Sequence, residues 1–254
     1  MDRVIQRRKF IRMGVLWLLS TPAILRAQMF TPGMLVTTTK PAAAGGGTPA
    51  GNAFTLVQQV AWTETNSINI TPAAGNLVVA FCKTEGSAAF TSAALSAQSA
   101  TLGNVSTHGN GDLRCAFAWI LSNNSASAQN FAFTLSGSPT FSRCLAAEFS
   151  ATGTHALDAQ GSGNSGTSGS IASGSFSSSV SNGLALGGYG EYSGNALLNL
   201  KVGTTAATGL PATQPANATW AWYRLFTAQL SGVTSNATMT SAEWVCAGLC
   251  FKSE

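Results

Sequence analysis

From Phe54 onward the chain is a succession of apolar runs of 5–9 residues, each cut off by Gly, Asn, Ser or Pro. This punctuation constrains the fold more than any other feature, because strands need short apolar or alternating runs bounded by turn residues. It predicts strands over residues 54–62, 67–71, 76–83, 113–121, 130–135 and 143–149, and again over 183–189, 197–202, 219–230, 237–240 and 243–251. No stretch offers a sustained helical period with caps. The expected class is all-β.

An internal repeat runs through these strands. Asn76-Leu77-Val78-Val79-Ala80-Phe81, with Glu85 and Ser87 beyond, lines up with Asn182-Gly183-Leu184-Ala185-Leu186-Gly187, Glu191 and Ser193 at an offset of 106. Phe117-Ala118-Trp119 then matches Trp220-Ala221-Trp222 at 103, and Ala147-Glu148-Phe149 matches Leu249-Cys250-Phe251 at 102. Two copies joined by a Gly/Ser stretch allow two small domains. One double-sheet sandwich over 54–254, with each copy feeding strands to both sheets, encloses a larger core and is preferred.

The start of the chain has the layout of a secretory signal: basic residues, an apolar stretch from Met13 to Leu25, and a small residue, Ala27, at a cleavage point. That stretch is shorter than the ~17–25 residues a spanning helix needs. Residues Arg7-Arg8-Lys9-Phe10-Ile11-Arg12 resemble a twin-arginine signal, which implies export in the folded state. Residues 1–27 are therefore read as signal peptide, with cleavage after Ala27. Residues 28–53 are read as a Pro/Gly/Ala-rich linker with a strand-prone insert at 34–39. The destination is secreted, periplasmic or cell-surface.

Net charge is +4 from 13 bases and 9 acids, but residues 1–27 hold six of those bases and one acid, so the remainder carries about −1. The scattered bases leave no footprint for a phosphate backbone, and nucleic acid is excluded as a partner. Five cysteines, Cys82, Cys115, Cys144, Cys246 and Cys250, fit no zinc spacing. Each sits in an apolar run and reads as a small buried hydrophobe, with Cys115–Cys144 the first bridge to test.

The entry at Thr71-Pro72-Ala73-Ala74-Gly75-Asn76-Leu77-Val78-Val79, the strand Phe117-Ala118-Trp119 and the strand end Glu148-Phe149-Ser150 resemble the jelly-roll, lectin-like sandwiches of bacterial secreted and surface proteins. The resemblance spans roughly residues 54–251. It implies a fold and a habitat, and no particular ligand.

Candidate chemistry is sparse. Glycoside hydrolysis needs two carboxyls flanking a groove. Glu85 and Glu191 are the pair the repeat suggests, against a plain reading as two solvated strand ends. Glu148 interrupts an apolar strand, where alternation sets it on the face of Cys144 and Ala146. No cofactor or metal is expected; Asp112 and Asp158, each shortly after a loop histidine (His108, His155), are the acids a calcium site with hard oxygen ligands would use. No nucleophile-elbow motif supports a triad. Alternation along Trp220-Ala221-Trp222-Tyr223-Arg224 puts Trp220, Trp222 and Arg224 on one face, where two rings beside a guanidinium suit a sugar. Core burial is the competing reading, and Trp62 is a second stacking candidate. The expected function is a non-catalytic module binding extracellular glycan or another surface polymer. The alternatives are a filament or coat subunit self-assembling by strand addition, and a polysaccharide-active hydrolase or lyase.

Overall fold

The computed structural model describes residues 50–109, 111–211, 214 and 219–254. Among these, every named element is a strand, and the all-β class holds. Arg7, Arg8, the cleavage point after Ala27, the insert at 34–39 and most of the linker lie outside the described residues.

The first copy contributes β1 (Thr55–Thr63), β2 (Ser67–Ile70), β3 (Leu77–Glu85), β4 (Phe90–Leu95), β5 (Gln98–Leu102), β6 (Ser106–His108), β7 (Leu113–Ile120), β8 (Gln129–Leu135) and β9 (Phe141–Ser150). They form one antiparallel sheet in the order β1-β9-β3-β7-β5-β4-β8-β2, with β6 added to β7. Its two edge strands, β1 and β2, are consecutive in the chain, so the sheet curls until nearly closed.

The second copy contributes β10 (His155–Gln160), β11 (Asn164–Gly166), β12 (Ser170–Ala172), β13 (Gly183–Glu191), β14 (Leu198–Val202), β15 (Thr205–Ala206), β16 (Thr208–Leu210), β17 (Thr219–Phe226), β18 (Ser235–Thr238) and β19 (Trp244–Ser253). It makes two sheets, β10-β19-β13-β17-β16 with β11 on β19, and β12-β18-β14-β15. The repeat is visible in the strand orders β1-β9-β3-β7 and β10-β19-β13-β17.

The expectation that each copy feeds both sheets needs correction. Among the described residues no strand of one copy pairs with a strand of the other. Each copy instead wraps its own core. Ile68, Val78, Cys82, Phe131 and Phe133 fill the first, and Ile171, Tyr189, Trp220, Trp222 and Trp244 fill the second. A third core joins the copies through Leu77, Val79, Phe81, Phe117, Trp119 and Phe149 on one side and Leu184, Leu186, Ala221, Leu249 and Phe251 on the other. The central strands β3, β9, β13 and β19 are thus buried on both faces. This is why they read as continuous apolar runs although they are antiparallel, where one-sided burial would give alternation.

Two-sided burial also misleads the repeat register. Leu77 pairs with Phe149 and Leu184 with Phe251, and all four lie in the joining core. Leu77 therefore corresponds to Leu184, one residue off the sequence match. By the same logic Trp119, paired with Val79, corresponds to Tyr223, paired with Leu186. A shift of one residue exchanges the faces. Trp220 and Trp222 consequently face the second copy's own core, whereas Phe117 and Trp119 face the joining core.

The cysteine reading divides in the same way. All five thiols are free and buried. That agrees with their reading as small buried hydrophobes; Cys115 faces the joining core and Cys144 the first copy's own core, so the Cys115–Cys144 pairing named for testing would have to cross the sheet and is not formed.

Candidate functional site

The second copy opens a cleft at the edge of β17. β15 pairs with β14 in the outer sheet, through Lys201 with Ala206 and Val202 with Thr205. One residue later the chain has crossed to the inner sheet, where Thr208, Gly209 and Leu210 pair with Tyr223, Trp222 and Ala221. Among the described residues β17 continues past Tyr223 with no partner on that side, while β13 pairs it on the other as far as Phe226. The crossover leaves a depression of about 430 Å³ lined by Thr205, Thr208, Tyr223, Arg224, Leu225 and Thr227. Its size falls within the range of small-ligand clefts, roughly 300–1,000 Å³.

The walls combine apolar surface with hydroxyls. Leu225 is 44 % exposed. The Tyr223 ring is half-buried and packs edge-on against Phe149 at 5.6 Å, which fixes its plane. Arg224 donates through Nη1 to the Val202 carbonyl at 3.0 Å, and burial lowers its pKa from the ordinary arginine value. One residue pair earlier, Trp222 Nε1 donates to the Lys201 carbonyl at 3.1 Å. Alternate β17 side chains therefore tie the inner sheet to successive carbonyls of β14.

Of the residues singled out from sequence, Arg224 lines this cleft and the tryptophans do not. Trp222 is fully buried, and Trp220 is 7 % exposed with its Nε1 donating to the Pro211 carbonyl at 2.8 Å. Neither presents a ring face to solvent, so the core reading replaces stacking for both. Trp62 is half-buried and meets Phe81 edge-on at 6.4 Å, away from the cleft. The sequence does not mark the cleft threonines as a group, because they become neighbours only through the layer crossover. The hydroxyl-rich run Gly203-Thr204-Thr205-Ala206-Ala207-Thr208 was the available signal.

The carboxylates are engaged internally. Glu148 lies on the face alternation assigned to it and is fully buried. It accepts from the Ala73 amide at 2.8 Å, Asn76 Nδ2 at 2.6 Å and Gln58 Nε2 at 2.5 Å, and so pins the turn before β3. Glu191, also fully buried, accepts from the amide of Asn195 at 2.5 Å and its Nδ2 at 3.1 Å. Glu85 pairs with Lys83, which is itself completely buried.

The structure does bring Glu85 and Glu191 to one end of the molecule, with Lys83 beside both. Burial lowers the Lys83 pKa, opposed by the Glu85 hydrogen bond and the charges of Glu85 and Glu191. Arg143, paired with Glu64 at 2.5 Å, lies at the same end. Tyr192 senses Asp112, Glu85, Glu243 and Arg114 there, although burial contributes most to raising its pKa. More than half of the charged side chains from residue 50 onward gather at this end. With Glu191 sealed from solvent, the two carboxyls do not flank an open groove of the kind hydrolysis requires.

The acids named for calcium are separated. Asp112 adjoins Leu113, which pairs with Glu85 at the charged end. Asp158 sits beside Leu157, which pairs with Phe251, where β19 also pairs with Leu184 at the far end of β13. It accepts from the Ser179 amide at 2.7 Å and from its hydroxyl at 2.5 Å. The shared site is thus not assembled, and among the described residues no three His, Cys, Asp or Glu side chains are grouped to hold a metal. Nor, among these residues, is any helix long and apolar enough to cross a membrane. No family model, curated protein or solved structure matches this chain.

Proposed function

We propose that this chain is an exported, non-catalytic module that binds a neutral, hydroxyl-rich extracellular polymer, a glycan, in the cleft at the β17 edge. The carrying observation is the cleft lining, where Thr205, Thr208 and Thr227 meet the open edge of β17 at Tyr223, Arg224 and the exposed Leu225. A sugar presents hydroxyl edges and apolar C–H faces, and this lining offers a partner to each. The commitment of Glu148 and Glu191 to backbone amides supports a binding role over hydrolysis.

The test is affinity electrophoresis of the full chain through gels containing β-glucan, xylan or mannan. At least one polymer should retard the protein. Leu225→Asp, at an exposed position, should weaken that retardation about tenfold, the equivalent of about 1.4 kcal/mol. Unchanged retardation of Leu225→Asp, or no retardation by any neutral polymer, contradicts the reading.

A further inference from the structure

Cys82 and Cys144 are directly opposite one another on β3 and β9. Both side chains point into the first copy's own core, and both residues are fully buried. Residues opposite across an antiparallel pair hold their Cβ atoms roughly 4.5–5.5 Å apart, and a disulfide needs about 3.5–4.5 Å, so a small approach of the two strands suffices. The Cys82 thiol makes its hydrogen bond to the neighbouring Lys83 carbonyl, at 3.7 Å. Cys115 is on the opposite face of the sheet, while Cys246 and Cys250 belong to the other copy's core. At the corresponding place in the second copy, Tyr189 pairs with Cys246, so only the first copy carries a thiol on both strands.

We propose that Cys82 and Cys144 form a latent cross-strand disulfide, a covalent staple between the central strands of the first copy that closes when the sheet opens or refolds in the presence of a disulfide oxidant. With oxidised glutathione as the oxidant, one Cys thiolate attacks a glutathione sulfur, breaking its S–S bond and releasing one glutathione thiolate. The second Cys thiolate then attacks the mixed disulfide, forming the Cys82–Cys144 bond and releasing the second. Two protein thiols lose their protons and two electrons, and one oxidised glutathione becomes two reduced molecules. Burial raises the Cys144 pKa well above its ordinary value, so the thiol is inert in the folded protein and reacts while the sheet is forming or open.

The experiment is to unfold the full chain under reducing conditions and refold it in parallel with reduced and with oxidised glutathione. Thiols are then counted in denaturant, and linked peptides are mapped by mass. Refolding with oxidised glutathione should lower the thiol count by two against the reduced control, with one linked peptide joining Cys82 to Cys144. The thermal midpoint should rise by about 10 °C. Cys144→Ala should abolish the linked peptide, and Cys115→Ala should leave it. An unchanged thiol count in the folded product, or a linked peptide joining any other pair, overturns the proposal.

Discussion

Phe81 packs directly against Gly188 across the joining core: a Cβ placed on Gly188 would come within 2.3 Å of the Phe81 ring. The two occupy corresponding places in the two copies, since Phe81 pairs with Leu145 and Gly188 with Ala247 along matching strands. Where the copies meet, one supplies a large side chain and the other supplies none. The same division recurs one pleat on, where Lys83 Cγ would be 2.4 Å from a Cβ on Gly190. The sequence repeat has thus diverged at the positions that must fit against each other.

This fit predicts the effect of Gly188→Ala. The added methyl meets a fully buried ring with no room to withdraw, so stability should fall by about 1–3 kcal/mol. Adding Phe81→Leu should recover part of that loss. A double-mutant cycle by urea denaturation measures the coupling, and strictly additive effects would refute the direct contact.

Glu148→Gln should destabilise by about 1–3 kcal/mol, because an amide nitrogen would face one of the three donors now held by the carboxylate. The accompanying sign is faster hydrogen exchange at the Ala73 amide. Unaltered exchange there would show that the carboxylate does not hold the turn.

Trp222→Phe separates core from ligand. It removes the hydrogen bond to the Lys201 carbonyl and part of a buried ring, which should cost about 1–3 kcal/mol. Retardation by polymer gels, measured where the variant is fully folded, should match the parent. A selective loss of retardation would return Trp222 to the binding surface.

The thiols predict an alkaline weakness under reducing conditions. Burial pushes up the pKa of Cys115, Cys144 and Cys246, and that of Cys250 to about 12. Above the ordinary thiol value of 9.0 the unfolded chain releases these protons while the folded chain keeps them. The folded state then binds more protons, and stability falls with rising pH by about 1.4 kcal/mol per pH unit for each such thiol. Lys83 acts in the opposite sense: its lowered pKa makes stability rise with pH as 10.5 is approached. Four thiols outweigh one lysine. Urea midpoints at pH 8 and pH 10 should differ in that direction, and Cys250→Ala should reduce the difference.

Much of the fold is legible in the residues. All eleven expected strands are present, because long apolar runs between Gly, Asn and Ser leave few alternatives. Among the missed strands, Ser170–Ala172 and Thr205–Ala206 are short and hydroxyl-bearing and exist through their partners, whereas His155–Gln160 carries no apolar run long enough to mark it. The faces of Trp220 and Trp222 were misjudged relative to Phe117 and Trp119 because strands buried on both sides carry no alternation to fix register. Arg224 is legible from the sequence; Thr205 and Thr208 are legible only as a hydroxyl-rich run and Thr227 not at all, since a layer crossover and no motif brings them together.

The most direct measurement of the binding claim is hydrogen exchange on the full chain with and without the polymer that retards it. The cleft reading predicts new protection confined to residues 205–208 and 223–227. Protection at the charged end around Glu85 and Tyr192, or none in the cleft, would contradict it.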